Sequence, residues 1–377
     1  MKITFNRLAF LDQWTRAASV APQRHQQPVL NNVKLDTTCA GGDSVLLTAN
    51  SIDVGVAIEA DGVEIAEDGV VLLPVQKFTS VLKEFTAMML TVSSPSDGGK
   101  LTVTGGSAKI TLQCQPPEEF PDVPLFNDIA SIDISPELLR AIVDRTAFAA
   151  ADDSSRYALG GVLLETDGNS LIGVATDGRR ASKMQGTAEM IGDDVLGPEF
   201  TVVPTTAIQL AARLFSDLGA NESLVIRPMK NSVIFDAAGR TFYARLLEGR
   251  FPDWRQAFSG HKGADKIKVA AGPFYSAIRQ AAIVSDSDTS AMNLVFSANK
   301  LDITTVAAEI GGAAVSLPVN GGIGESIIKI NHHYLSDVLR KLQPETEVVI
   351  QIDKGAFLLS TDDGLEYMAM GMESTGD

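Results

Sequence analysis

The sequence predicts an α+β fold built from three copies of one repeat, and two markers predict it. Phe120-Pro121-Asp122 returns as Phe251-Pro252-Asp253, a step of 251 − 120 = 131 residues. Pro74 and Pro204 each follow an apolar, strand-like run and lie 204 − 74 = 130 residues apart, and Asn331 follows a similar run another 331 − 204 = 127 residues on. A period of this length is that of a whole domain, not of a solenoid repeat.

A helix is predicted after Pro74, Pro204 and Asn331, because apolar residues recur there at offsets of 4, 7, 8 and 11. This spacing places four side chains on one stripe of a helix. Each repeat is therefore predicted to contain the same amphipathic helix. The three stripes consist of Phe78, Val81, Leu82 and Phe85; Ile208, Ala211, Ala212 and Phe215; and Leu335, Val338, Leu339 and Leu342.

A further helix is predicted at the start of each repeat, where apolar residues recur at offsets of 0, 4 and 7. In the middle copy Ser135-Pro136-Glu137 provides a capped start with proline in the first turn, where a missing N–H costs nothing. Short alternating runs separated by turns such as Asp61-Gly62 and Asp167-Gly168 predict antiparallel strands between the helices. The stripes of these first helices consist of Phe10, Trp14 and Ala17; Leu139, Val143 and Thr146; and Phe274, Ile278 and Ala281.

The period divides the 377 residues into three predicted domains, at 1–127, 128–258 and 259–377. Each is predicted to consist of two helices packed on antiparallel sheets around its own core. Cys39 and Cys114 lie in predicted strands and form no CxxC pair, which is typical of a reduced compartment. No apolar run approaches the length of a membrane span. We therefore expect a cytoplasmic protein without a membrane partner.

The charge is unevenly distributed. The net charge is −16, whereas proteins that bind nucleic acid usually carry a basic excess. The six predicted helices nevertheless hold nine basic residues against six acidic ones, and the remainder holds 31 − 9 = 22 basic against 47 − 6 = 41 acidic. The helices are mildly basic on an acidic body. Their cations are Arg16, Lys77, Lys83, Arg140, Arg145, Arg213, Arg279, Arg340 and Lys341.

Motifs for catalysis or metal binding are missing from the sequence. The glycine pair Gly311-Gly312 lacks the spacing of a phosphate-binding loop, and no GxSxG nucleophile elbow occurs. His332-His333 has no cysteine or acid at metal-ligand spacing. We predict no catalytic residue, no metal and no cofactor. One alternative stays open, a triplicated α+β hydrolase or carbohydrate-binding protein that uses acidic loop residues such as Asp152 and Asp153.

Three sequence blocks are specific enough to indicate a family. Residues 156–165 read Arg-Tyr-Ala-Leu-Gly-Gly-Val-Leu-Leu-Glu, 174–180 read Val-Ala-Thr-Asp-Gly-Arg-Arg, and 247–254 read Leu-Glu-Gly-Arg-Phe-Pro-Asp-Trp. In this order and separation they resemble the bacterial DNA polymerase III beta subunit family, the replicative sliding clamps, and the resemblance extends over the whole chain. It implies a clamp fold in which a head-to-tail homodimer closes six similar domains into a ring around double-stranded DNA. It also implies a processivity factor without an active site.

The resemblance implies residues for DNA contact and for the dimer interface. A ring that slides needs loose phosphate contacts and no recognition of bases. Thr205 and Thr206 stand where relatives often carry basic residues. The implied DNA-binding residues are Arg24, Lys77, Arg156, Tyr157 and Arg279. The implied dimer edges are Lys109, Ile110 and Leu112 in the first repeat and Ile283 and Val284 in the third, although the last two are also compatible with a core position.

The resemblance further implies a groove between the second and third repeats that binds short peptides with apolar and glutamine anchors. The implied partners are the DNA polymerase III alpha subunit, the clamp loader, other polymerases and repair proteins. Flexible methionines suit such varied peptides. Ala181 and Ala257 are smaller than the aliphatic residues common in the family, and Gly371 replaces a proline. The implied lining is Leu159, Thr176, Gly178, Arg179, Arg180, Ala181, Pro252, Gln256, Ala257, Met370 and Met372.

Overall fold

The chain folds into short helices that lie on antiparallel sheets. The structure is a computed structural model that describes residues 1–39, 42–95, 99–121, 123, 130–152, 158–192, 201–259, 266–286, 289–297, 299–307, 310–321 and 326–372. In these ranges the α-helices are α1 (Arg7–Ala18), α2 (Val75–Glu84), α3 (Pro136–Thr146), α4 (Thr205–Leu214), α5 (Arg255–Phe258), α6 (Ala271–Ala281) and α7 (His332–Leu339).

The strands carry most of the backbone hydrogen bonds between distant segments. In the same ranges they are β1 (Lys2–Asn6), β2 (Asn32–Asp36), β3 (Ser44–Asn50), β4 (Val54–Asp61), β5 (Val63–Glu67), β6 (Val70–Pro74), β7 (Met89–Ser93), β8 (Lys100–Gly105), β9 (Ala108–Gln113), β10 (Ser131–Ile134), β11 (Gly161–Asp167), β12 (Ser170–Thr176), β13 (Arg180–Thr187), β14 (Glu189–Ile191), β15 (Val202–Pro204), β16 (Leu224–Pro228), β17 (Ser232–Ala237), β18 (Arg240–Arg245), β19 (Ile267–Ala270), β20 (Ala291–Ser297), β21 (Lys300–Ala307), β22 (Gly311–Pro318), β23 (Asn320–Gly321), β24 (Ser326–Asn331), β25 (Glu347–Asp353), β26 (Ala356–Ser360) and β27 (Leu365–Met370).

Two compact units divide the chain. Unit 1 consists of Met1–Pro136, Met190–Val195 and Thr206–Leu246, and unit 2 consists of Glu137–Glu189, Leu196–Thr205 and Leu247–Asp377. The middle predicted domain contributes to both units. The three domain boundaries therefore stay a prediction from the sequence repeat.

Unit 1 contains two antiparallel sheets. The smaller has the strand order β5-β1-β7-β8-β9, and the larger includes, in order, β10-β16-β17-β18-β4-β3-β2-β6. Strand β4 of the first repeat pairs with β18 of the second, with Val56 opposite Phe242. We call this pairing and the side chains around it the first joint. It makes one continuous sheet from parts of two repeats.

Unit 2 is organised in the same way. Its larger sheet has the order β15-β11-β12-β13-β27-β26-β25-β19-β23, and its smaller sheet has the order β22-β21-β20-β24. Strand β13 of the second repeat pairs with β27 of the third, with Ser182 opposite Tyr367. We call this the second joint. The paired residues named for the two joints, Val56 with Phe242 and Ser182 with Tyr367, are all buried.

The predicted helix stripes are confirmed, because every stripe residue is buried, from Trp14 at 0% to Ala212 at 9% exposure. Each large apolar side chain buried in this way contributes about 1.5–3 kcal/mol relative to an exposed position. Trp14 also packs edge-on against Phe78 and donates its indole N–H to the hydroxyl of Thr79 at 2.8 Å. Helix α3 begins at Pro136, as its capped start predicts. Among the described residues, no helix has the length and apolar character that crossing a membrane requires.

Two glycines let α3 lie close to its sheet. A Cβ on Gly173 of β12 would fall 2.3 Å from Cγ2 of Ile142, and a Cβ on Gly186 of β13 would fall 2.3 Å from Cδ1 of Leu138. Both partner side chains belong to α3. The helix and the sheet are thus closer here than any side chain larger than hydrogen would permit.

The predicted placement of the two cysteines in strands is wrong. Strand β2 ends at Asp36, whose carboxylate accepts the N–H of Thr38 at 2.8 Å and turns the chain, so that Cys39 lies in an exposed bend. Cys114 follows the last residue of β9 and is half-buried. The strand does not continue because Pro116 and Pro117 follow after Gln115, and proline has no N–H to donate.

Candidate functional site

The candidate groove is built around a tight turn between β12 and β13. Gly178 adopts φ = +87°, a left-handed conformation that favours glycine. The hydroxyl of Thr176 donates to the carbonyl of Arg180 at 2.6 Å and accepts the N–H of Gly178 at 3.0 Å. The Asp177 carboxylate accepts the N–H groups of Arg179 and Arg180 at 2.8 and 2.9 Å. The turn satisfies its own polar groups, so the Thr176 hydroxyl is used within it.

Arg180 is held by groups from three elements. Its Nε donates to Asp177 at 3.0 Å, Nη1 to Asp337 at 2.7 Å, and Nη2 to the carbonyl of Phe148 at 2.9 Å. The guanidinium also lies 5.0 Å from the centre of the Tyr334 ring. Burial by itself would lower the pKa of Arg180, but the carboxylates outweigh it and the pKa is raised. Arg180 therefore fixes the turn to α7 of the third repeat, with each of its three nitrogens donating one hydrogen bond within the protein.

The turn is also joined to β27, the last strand. Ala181 lies opposite Met368, and the N–H of Met370 donates to the carbonyl of Arg179 at 2.8 Å. Ala181 is buried, whereas the Met370 side chain is 48% exposed and Arg179 is exposed. The structure thus places two exposed residues, Met370 and Arg179, on neighbouring backbone segments that are hydrogen-bonded to each other.

The segment after β27 continues along neighbouring strands. The N–H of Gly371 donates to the carbonyl of Gly355, and the N–H of Met372 donates to the carbonyl of Lys329, each at 2.7 Å. A Cβ at position 371 would fall 2.6 Å from the Gly355 oxygen. A proline here could neither donate this hydrogen bond nor fit. Gly371 is therefore a physical requirement of this chain, and it sets Met372 half-buried beside β24.

The Phe-Pro-Asp segment carries further predicted groove residues and packs on β11. Phe251 and Trp254 are buried with Ala158 in one apolar cluster. The Trp254 indole N–H donates to Glu165 at 2.8 Å, and Arg255 pairs with the same carboxylate at 3.2 Å. Because Glu165 is itself buried, these two partners compensate its desolvation. The segment is held firmly against β11.

The remaining predicted groove residues lie in or next to the Phe-Pro-Asp segment. Pro252 and Ala257 are half-buried, and Ala257 packs against the apolar cluster of Ala356, Leu358 and Met368. Gln256 is exposed, and its side-chain amide donates to Asp253 at 3.0 Å. Leu159, also half-buried, follows directly on Ala158 of the buried cluster. All eleven predicted groove residues lie in unit 2 and in the described part of the chain.

Sequence reasoning missed two residues that hold Arg180 in the turn. Asp337 and Tyr334 of α7 hold Arg180, and Asp337 lies 157 positions from it. No local pattern marks these two residues. A cavity of about 380 Å³ elsewhere in unit 2 is lined by residues of β25–β27 together with Phe258 and Lys266, and it contains none of the predicted groove residues.

The residues predicted to contact DNA are described in part. Arg24 is exposed in the loop after α1, and Lys77 is exposed in the first turn of α2; both belong to unit 1. Arg279 of α6, in unit 2, is exposed with its guanidinium 5.7 Å from the Tyr275 ring. Arg156 and Tyr157 lie outside the described residues.

The nine helix cations fall into two groups. Five of them form ion pairs with Asp or Glu, namely Arg16, Arg140, Arg145, Arg340 and Lys341. The other four, Lys77, Lys83, Arg213 and Arg279, are exposed and form no ion pair with any residue that the structure describes. Among the nine helix cations, the second group could contact phosphate without breaking an ion pair to a described residue.

One predicted dimer edge lies on a strand, and the other lies on a 3₁₀ turn. Lys109, Ile110 and Leu112 belong to β9, the last strand of its sheet, and Ile110 is 37% exposed. Ile283 and Val284 form part of the 3₁₀ turn Ala282–Val284 that follows α6. Ile283 is 79% exposed, so a core position for it is ruled out, whereas Val284 is half-buried.

The structure gives little support to a hydrolase or carbohydrate-binding site built on acidic loop residues, or to a metal site. Asp152 is exposed, and Asp153 lies outside the described residues. Within the described ranges, no three His, Cys, Asp or Glu side chains come together as a metal site would require.

Comparison with known proteins gives one family over almost the whole chain. The models for the N-terminal, central and C-terminal domains of the DNA polymerase III beta subunit match residues 1–124, 133–253 and 261–373. A beta sliding clamp of Pseudomonas putida is 28% identical over 376 residues, which cover 99% of this chain and 100% of that protein.

Solved structures agree with this match. The sliding clamp of Pseudomonas aeruginosa bound to griselimycin is 27% identical, with a TM-score of 0.89 and coverage of 99% of this chain and 100% of that one. The Bacillus subtilis DNA polymerase sliding clamp has the same fold, with a TM-score of 0.89, 21% identity and 99% coverage of both chains. The predicted α+β clamp fold with three repeated domains is confirmed.

Proposed function

The chain belongs to the DNA polymerase III beta subunit family and is a replicative sliding clamp, and we propose that it encircles duplex DNA as a head-to-tail homodimer. The family consists of non-catalytic processivity factors, so the chain has no reaction of its own. The hydrolase or carbohydrate-binding alternative is not favoured. We place the protein in the cytoplasm, where chromosomal DNA of bacteria is replicated.

One observation carries the proposal of a closed ring, namely that each repeat donates a strand edge to the next. Strand β4 of the first repeat pairs with β18 of the second, and β13 of the second pairs with β27 of the third. The corresponding strands β9 and β22 each end a sheet. Pairing of β22 with β9 of a second copy, twice, leaves neither edge open.

We propose that the DNA contacts come from exposed cations on an otherwise acidic protein. Arg24, Lys77 and Arg279 are exposed in the structure, and Arg156 and Tyr157 join them by resemblance alone. With a net charge of −16, most of the surface repels DNA, which favours contact at these cations. Such contacts to phosphate are independent of base sequence.

We propose that the groove of unit 2 receives the short peptide of a partner protein, such as the DNA polymerase III alpha subunit, the clamp loader, another polymerase or a repair protein. The Thr176 hydroxyl and the Arg180 guanidinium are used within the protein. Recognition then depends on apolar contact with Met370 and Pro252 and on the exposed Arg179. This chemistry fits a peptide with apolar anchors and tolerates variation among partners.

Retention on circular DNA tests the ring. We expect the clamp, once loaded, to stay on nicked circular plasmid through gel filtration and to be lost when the plasmid is linearised, because a threaded ring slides off free ends. Sedimentation of the free protein at micromolar concentration should give a dimer. A strict monomer, or equal retention on circular and linear DNA, would contradict the proposal.

Peptide binding tests the groove separately. A fluorescent peptide with a glutamine and a C-terminal apolar pair should bind, and Met370→Ala should weaken binding by about 1–2 kcal/mol through lost apolar contact. Met229→Ala is the matched control, since Met229 is also exposed, at 37%, but lies in unit 1. Equal loss in both variants, or no loss in either, would place the peptide elsewhere.

A further inference from the structure

The two joints inside the chain are cross-linked by charges. In the first joint, Arg16 of α1 and Arg240 of β18 both bind Asp217, at 2.9 and 2.6 Å. In the second joint, Arg145 of α3 binds Asp363 at 3.0 Å, and Lys183 of β13 binds Glu366 of β27 at 2.8 Å. Arg16 and Arg145 occupy equivalent positions, since each directly precedes the last residue of a first-helix stripe.

The registers of the paired strands show which residues of the open edge strands, β22 and β9, correspond to residues of the internal joints. In β12–β13 Ala175 lies opposite Ser182, and in β21–β22 Thr305 lies opposite Ala313. Ser170 of β12 lies opposite Asp167, and Lys300 of β21 lies opposite Ser297, so two residues separate the strands in each hairpin. Counting five residues on from Ser170 and from Lys300 makes Ala175 equivalent to Thr305. Ala313 therefore corresponds to Ser182, and Ala314 corresponds to Lys183.

The same reasoning applies to β9. The β8–β9 hairpin turns between Gly105 and Ala108, and the β17–β18 hairpin turns between Ala237 and Arg240, with two residues in each turn. Ile110 thus corresponds to Phe242, which lies opposite Val56 in the first joint as Tyr367 lies opposite Ser182 in the second. The residue before it, Lys109, corresponds to Glu366.

At the positions so obtained, the charges of the internal joints are replaced. Lys183 and Glu366 of the second joint become Ala314 and Lys109, whereas the first joint already has the uncharged pair Ala57 and Thr241 at this position. No residue from Gly311 to Pro318 is charged. The helix position held by Arg16 in the first repeat and by Arg145 in the second is occupied in the third repeat by Gln280, one position before the stripe residue Ala281. The position of Asp217, two residues after Phe215 in the second repeat, is occupied in the first repeat by Ala87, two residues after Phe85.

Exposed apolar side chains lie beside both edges. Ile283 and Val306 are each 79% exposed, Ile310 is 63% exposed, and the 3₁₀ turn that carries Ile283 packs on β21 and β22. Next to Ala87, Met88 is 59% exposed, and on β9 Ile110 is 37% exposed. Large apolar residues on a surface otherwise rich in acids mark an interaction site.

Building on the proposed homodimer, we infer that the joint between copies is apolar, with Ala313 opposite Ile110 and Ala314 opposite Lys109 of the second copy, and lacks the ionic cross-links of the internal joints. The partner for this surface is a second copy of the chain, because the internal joints supply the register. The closing joint therefore differs from the internal joints in its response to salt. Ionic screening leaves it intact, whereas it weakens exposed ion pairs.

Sedimentation equilibrium of the full-length protein tests the inference. Between about 0.1 and 1 M NaCl, which shortens the Debye length from about 10 to 3 Å, the dimer Kd should stay constant within about threefold or become tighter. A Kd that rises more than about tenfold over this range would show an ionic joint and overturn the inference. Glu309→Gln is the control for the acidic residue that precedes β22 in the sequence and lies outside the described residues, and its Kd should equal that of wild type.

A charge cycle tests the register. Ala314→Lys would face Lys109 and should weaken the dimer roughly tenfold, because like charges opposite each other repel and the closed dimer contains two such joints. Lys109→Glu alone should change little, and the double variant should recover wild-type affinity and become sensitive to salt. Absence of coupling would overturn the register. Should Ala314→Lys fail to fold, Gln280→Arg with Ala87→Asp provides an independent cycle.

The outcomes separate this inference from the proposed function. A wild-type protein that is strictly monomeric would contradict the homodimer itself. A wild-type dimer that dissociates in salt, or variants without coupling, would leave the clamp standing and remove only the apolar joint.

Discussion

At the residue scale, Asp217 is the most strongly engaged exposed carboxylate in the first joint. It accepts hydrogen bonds from Arg240 and Arg16, and both arginines also donate to the carbonyl of Leu214, at the end of α4. The hydrogen bond from Arg240 is the main cause that lowers the pKa of Asp217 to about 2. One carboxylate and one helix end thus hold cations from two repeats.

We predict that Asp217→Asn lowers the free energy of unfolding by roughly 1 kcal/mol at neutral pH, since the site is partly solvated and screened. The pKa is depressed in the folded state, so the stabilisation is present above the ordinary carboxyl pKa of about 4 and disappears as the pH falls toward 2. Urea denaturation should therefore show a gap between wild type and variant that narrows below pH 4.

Asp12→Asn is the matched control, because Asp12 also binds Arg16 but does so within α1 and is 66% exposed. It should cost only a few tenths of a kcal/mol. Equal effects of the two substitutions, or a gap that is the same at pH 7 and pH 3, would contradict the account of Asp217.

Arg180 illustrates what sequence reasoning could and could not find at this scale. The Thr-Asp-Gly-Arg-Arg pattern indicates a turn, and the resemblance puts it in the groove. The resemblance names Arg180 as groove lining but does not name Asp337 and Phe148, which accept hydrogen bonds from its Nη1 and Nη2. Asp337 lies in the third repeat and becomes a neighbour through the pairing of β13 with β27, which no local spacing encodes. Phe148 lies in the 3₁₀ turn Ala147–Ala149, which packs on β13 within the same repeat.

At the element scale, the helices were predictable and the strand partners were not. Apolar stripes depend on a 3.6-residue period that is visible in any single helix. Strand pairing across joints depends on edges more than a hundred positions apart in the sequence, and alternation of apolar residues does not name a partner. The sequence repeat reduces the number of possible strand partners, because the first and second joints have the same register.

The close seat of α3 leads to a prediction at this scale. Gly173→Ala should cost about 1–3 kcal/mol of stability, because the new methyl group would meet Cγ2 of Ile142, which is fixed on Cβ and cannot rotate away alone. Gly186→Ala should cost less, since the Cδ1 group of Leu138 lies at the end of a flexible side chain. Chemical denaturation of both variants measures the difference.

A double variant checks the cause of that cost. Combining Gly173→Ala with Ile142→Ala should destabilise the protein less than the sum of the two single substitutions, because the second removes the clashing methyl group. Strict additivity would mean that Gly173 is needed for another reason.

At the scale of the whole molecule, the four exposed helix cations without ion pairs in the described part of the chain distinguish phosphate contact from stability. We predict that replacing Lys77, Lys83, Arg213 and Arg279 by alanine weakens retention of the loaded clamp on circular DNA and leaves the dimer intact. The slope of log affinity against log salt should fall by about one for each cation that contacts phosphate.

Lys100→Ala with Lys230→Ala and Lys354→Ala is the control, because these exposed lysines lie outside the helices. Retention and salt slope should remain those of wild type. If the control loses DNA as strongly as the helix variant, the contact would be a general effect of net charge, and the helices would have no special part in it.

The sharing of each large sheet by two repeats also limits how the protein can be dissected. A fragment cut to the middle repeat would carry β13 and β18 with neither β27 nor β4 to cover them. Bare strand edges of this kind attract other chains and promote aggregation. Fragments for expression, labelling or crystallography are therefore better designed as adjacent pairs, in which at least one sheet keeps all its own strands.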